Sequence, residues 1–101
     1  MSRSILQRRL VDVTERLKRL RAELAVAVEQ EQFLEEECED ARLRALVSET
    51  PLADAEAREA RRHAEAMTRH RQSLEVTLAE LVGEQDSLLD RMAAELSSPQ
   101  P

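Results

Sequence analysis

Aromatic side chains are almost missing from this chain: Phe33 stands alone in 101 residues, with no tryptophan and no tyrosine. Glycine is limited to Gly83, and of three prolines only Pro51 lies away from the C-terminus. So few large and turn-forming residues leave little with which to build an ordinary globular core. Cys38 has no second cysteine to pair with, which excludes an intramolecular disulfide and fits a reducing cytosol. No apolar run approaches the length needed to cross a bilayer. The opening MSRSILQRR has charge but no apolar stretch after it, so it does not read as a signal peptide, and a cytoplasmic location is expected. Lysine is nearly absent too: Lys18 is one of fifteen basic residues, the rest being arginine. That bias follows from GC-rich codons and points to a bacterial source of the actinobacterial kind. A net charge of −6 argues against nonspecific affinity for nucleic acid or anionic membrane as the main property.

What remains is alanine, leucine, glutamate and arginine, with 36% of residues charged, a profile of long helices and coiled coils. Disorder shares the polarity but not the spacing of the apolar residues. From Leu6 they recur alternately four and three apart: Leu10, Val13, Leu17, Leu20, Leu24 and Ala27, and on through Glu31, Leu34, Cys38, Ala41 and Ala45. A second series starts at Ala53 and runs through Ala57, Ala60, Ala64, Met67, Arg71 and Leu74 to Leu88 and Met92. Each is the a/d signature of a coiled-coil seam. Between them Ser48, Glu49, Thr50 and Pro51 break the pattern. Proline suits a first helical position and Thr50 the cap before it, while Asp54 and Glu56 complement the helix N-terminus. The expectation is an all-α fold, an antiparallel two-helix coiled-coil hairpin spanning 1–96. It comprises helices over about 4–47 and 51–96, a turn at 48–50 and a flexible tail at 97–101.

Charge placement supports that direction. Folding the chain about residue 49 sets Leu17 opposite Leu81 and Leu20 opposite Leu78. It also sets Arg16 against Glu84, Arg44 against Glu56, Arg21 against Glu75, Glu35 against Arg61 and Arg42 against Asp54, with Glu37 facing His63. Each exposed pair contributes only about 0.3–0.5 kcal/mol, but together they discriminate register. A parallel homodimer would stack the acidic block EQEQFLEEECED on its own copy.

Two seam positions carry charge. Glu31 and Arg71, in adjacent layers, read either as a buried ion pair that pins register or as long side chains that snorkel to water. The seam is alanine-rich near the turn and leucine-rich toward the free ends, so the turn half buries less apolar area per layer. The second helix carries further apolar residues beside its seam, Val82, Leu89 and Leu96, which face Thr14 and Gln7 rather than charges, and Val28 is placed on the same flank. That widened stripe predicts a partner, most simply another copy in a four-helix arrangement.

No catalytic, cofactor or metal residues are expected. His63 and His70 lie two turns apart, too far to share one ion, and the sequence has no glycine-rich phosphate loop or nucleophile elbow. The reading that results is a noncatalytic protein–protein interaction module, a scaffold or adaptor, homodimeric through its leucine-rich base and binding an unidentified protein partner. A different reading starts from Glu49, Asp54 and Glu56 beside the turn. In outline the chain resembles transcript-cleavage factors of the Gre type, whose acidic hairpin ends position metal in RNA polymerase. That resemblance covers the hairpin alone, and it implies a regulator inserting its acidic end into a larger machine. A third reading is weak nucleic-acid binding through the first helix, where Arg3 to Arg21 carry seven positive against two negative charges.

Overall fold

The computed structural model describes residues 2–97. It is an all-α helical hairpin: α1 spans Arg3–Ser48 (46 residues) and α2 spans Pro51–Ser97 (47 residues), with only Glu49 and Thr50 between them. Ser48 and Ser97 are therefore helical, where the sequence placed Ser48 in the turn and Ser97 in a tail. The rest of that tail, 98–101, lies outside the described residues. No helix among the described residues is long and apolar enough to cross a membrane.

Burial follows the heptads. Every α1 residue withdrawn from solvent is a seam position, and all seam positions from Leu6 to Ala45 are withdrawn. In α2 the same holds from Ala53 to Met92, with Thr68, Thr77 and Val82 withdrawn in addition. Leu17 is fully buried and Leu6 nearly so. The regular 3–4 spacing is what keeps one stripe of each helix turned inward over so many turns.

Contacts gather into two compact units. The terminal unit comprises Met1–Ala22 with Glu75–Pro101, and the turn unit comprises Glu23–Leu74. Within the terminal unit the core is of leucine and valine, including Leu6, Val13, Leu17, Leu81 and Leu88. Across it Gln85 Nε2 donates to Thr14 Oγ1 at 3.2 Å, within one residue of the expected fold about position 49. Thr14, beside the seam, is thus tied to the seam residue Gln85.

Within the turn unit the buried apolar residues are Ala27, Ala41, Ala53, Ala64 and Leu74, so each layer removes less apolar surface from water. The reversal itself is capped on both sides. Glu49 takes a left-handed backbone, φ 51°, and its N–H bonds the carbonyl of Ala45. The Thr50 Oγ1 then accepts the Ala53 N–H at 3.1 Å, and the Thr50 carbonyl accepts the Asp54 N–H, which starts α2 at Pro51. Pro51 loses nothing there because the first helical N–H has no intrahelical acceptor.

Candidate functional site

Side chains that could do chemistry or recognition fall into three groups. In the turn unit, Arg71 Nε lies 2.8 Å from both carboxylate oxygens of Glu31. Only 23% of the Arg71 side chain and 13% of the Glu31 side chain remain exposed, so the two do not simply reach out to water. The Arg71 hydrogen bond holds the Glu31 carboxyl below the usual glutamate value against the opposing effect of burial, and a hydrogen bond from Thr68 adds to the lowering. Thr68 is the residue opposite Glu31 to within one position of the expected register, and Arg71 reaches it from one turn further along α2.

Two of the flanking charges find partners on their own helix. Arg42 bonds Glu39 on its own helix, Nη2–Oε1 2.6 Å and Nε–Oε2 3.1 Å, instead of Asp54. His63 lies 3.8 Å from Glu59, also on its own helix. Arg44 and Glu56 line one shallow cleft together with Glu37 and His63, and Glu35 and Arg61 line another beside Cys38 and Ala64. Neighbours expected from the register therefore share clefts, but among the described residues neither Arg44–Glu56 nor Glu35–Arg61 closes to an ion pair. On an exposed flank a partner three or four residues away needs less ordering of long side chains than one across the seam.

Apolar side chains left outside the seam make the second group. In the terminal unit Val82 is half-buried while Leu89 and Leu96 are 47% and 61% exposed. Val28 is 44% exposed but belongs to the turn unit, so the strip formed within one unit is Val82, Leu89 and Leu96. Around the reversal Leu43, Leu46, Val47 and Leu52 are all exposed, Val47 at 85%. Sequence reasoning passed over these four. The signal was available: LRALVSETPL sets large apolar residues at positions that the seam spacing leaves on the outside.

Titratable groups make the third. Glu49 sits between the helices, Asp54 in the first turn of α2, and Glu56 on the cleft rim. Among the described residues no group of three or more histidine, cysteine, aspartate or glutamate side chains is arranged to hold a metal ion. Cys38 is a half-buried free thiol on the seam.

No family model matches the chain, and no curated protein or solved structure is similar to it.

Proposed function

We propose that this protein is a noncatalytic interaction module, a cytoplasmic scaffold or adaptor that self-associates through its terminal unit. The observation that carries the reading is the strip of Val82, Leu89 and Leu96, at seven-residue spacing on α2 with two of its three members exposed. It lies beside the seam, and the α1 residues expected to flank it, Gln7 and Thr14, are uncharged. The opposite flank of the same unit carries Arg9, Arg16, Glu84 and Arg91. Arg21 and Glu75 close the inner end of the apolar flank, and an apolar flank next to a charged one is what a helix needs when it has two neighbours to cover it rather than one.

A second copy supplies the simplest cover. Two terminal units related by a twofold axis would place strip on strip and convert each two-helix seam into part of a four-helix core. Such contact removes exposed leucine from water at about 25 cal/mol per Å² without burying a charge.

Sedimentation equilibrium at roughly 50 μM protein, where micromolar association is populated, is expected to give a dimer. Leu89→Glu is expected to give a monomer of unchanged helicity, because the side chain it replaces is already half exposed. A wild-type chain that sediments as a monomer throughout this range ends the self-association reading.

A further inference from the structure

The turn unit exposes large apolar side chains on one helix far more than on the other. Val26, Phe33, Leu43, Leu46 and Val47, all on α1, have about half or more of their surface in water, against Leu52 on α2. Phe33, the chain's single aromatic residue, is 60% exposed rather than in the core. Aromatic side chains are what interfaces concentrate and exposed helix surfaces usually lack.

These residues fall in a pattern. Val26, Glu29, Phe33, Glu36, Asp40, Leu43 and Val47 follow one another at three- and four-residue steps, all on positions outside the seam. That is the spacing of a second helix-docking stripe, with carboxylates at three of its places. The surrounding sequence sharpens the sign: from Glu23 to Asp40 there are eight acidic residues, and no basic residue stands between Arg21 and Arg42. Glu36 and Asp40, four apart, repel each other on the helix surface, and among the described residues neither has a salt-bridge partner. A merely solvated face usually mixes signs and omits the phenylalanine.

We propose that this outward stripe of α1, from Val26 to Val47, docks a basic amphipathic helix of another protein, with Phe33 as its apolar anchor. A partner helix with leucine-like residues opposite Val26, Phe33 and Leu43, and lysine or arginine opposite Glu29, Glu36 and Asp40, matches both the spacing and the sign. The molecule's own seam already seats one such contact, Arg71 on Glu31. A shallow cleft of about 330 Å³ adjoins Phe33, floored by Ala41 and Ala60, with Glu37, Glu56 and Glu59 on its rim beside Arg44 and His63. Packing by the same face of a second copy would set carboxylate against carboxylate. The corresponding outward positions near the N-terminus, Ile5, Arg8, Asp12, Glu15 and Arg19, mix both signs and so do not complement it either. Nucleic acid and anionic membrane carry the wrong charge.

The test uses the full chain and a fluorescein-labelled synthetic helix of about 21 residues, with leucine and lysine alternating at three- and four-residue steps on one face and alanine and glutamine elsewhere. A scrambled peptide of the same composition and a glutamate-for-lysine version serve as controls. Anisotropy is expected to show saturable binding of the basic helix, tightening at low salt. It should weaken about tenfold or more in Phe33→Ala and again in Glu36→Lys with Asp40→Lys. Each variant keeps wild-type helicity and dimer sedimentation, since the altered side chains lie outside the seam and away from the strip of Val82, Leu89 and Leu96, so failure here leaves the self-association reading standing. Absence of binding, equal binding of the scrambled peptide, or equal binding by the folded variants overturns the proposal.

Discussion

Glu49 holds a conformation that its side chain makes costly. A left-handed residue with a Cβ sits close to the following carbonyl oxygen, and helices usually place glycine or asparagine just past their last turn for that reason. Here glutamate does so, with its N–H bonded to the carbonyl of Ala45, while the next residue, Thr50, caps α2 through its hydroxyl. The two positions should therefore respond in opposite directions. Glu49→Gly is expected to stabilise by about 0.5–1 kcal/mol, the strain relieved outweighing the added freedom of the unfolded chain. Thr50→Ala is expected to destabilise by about 1 kcal/mol, since the Ala53 N–H loses its acceptor. Urea melts followed by circular dichroism separate the cases, and a Glu49→Gly chain less stable than wild type would contradict the strain argument.

At the scale of the helix, one charged contact sits among the apolar layers. Glu31 is held below the usual glutamate value first by the Arg71 hydrogen bond, so its folded form binds a proton less readily than its unfolded form. The stability this contributes is complete above the unfolded value, roughly pH 4.3, and is lost as the pH falls through the lower folded value. Accordingly, the stability gap between wild type and Glu31→Gln should be widest near neutral pH and close in acid. The companion measurement is a double-mutant cycle on Glu31→Leu and Arg71→Leu. Coupling in the cycle is expected, and additive effects would reduce the contact to two independent side chains. This pair also marks how far the sequence could be read. Spacing alone put Glu31 and Arg71 on the seam, because a heptad period states which residues face inward. Whether two long side chains meet or diverge depends on rotamers, which spacing does not state. Arg42 shows the same gap from the other side: its position faces Asp54, yet Glu39 three residues away is the partner it bonds. The exposed Leu43, Leu46, Val47 and Leu52 went unread for a further reason, since the seam search counts apolar residues that fit a period and passes over those between. The reversal at Thr50 and Pro51 was readable because cap and proline chemistry are local, whereas the left-handed Glu49 carries no glycine to announce it.

For the molecule as a whole, a two-helix hairpin covers only one stripe of each helix, a thin core for 101 residues. Self-association through Val82, Leu89 and Leu96 would add to stability by mass action, because the folded chain binds its partner and the unfolded chain does not. The gain reaches about 2.7 kcal/mol when the concentration stands a hundredfold above the dissociation constant. For a chain of this size that corresponds to a melting temperature rising by about 10 °C or more over a hundredfold range of concentration. Leu89→Glu should abolish the dependence while leaving the melting temperature of the dilute protein close to wild type, since its side chain is half exposed before any association. Phe33→Ala, on the acidic stripe of α1, should keep the wild-type dependence. A melting temperature flat across that range in the wild type would assign the exposed strip to a partner other than a second copy.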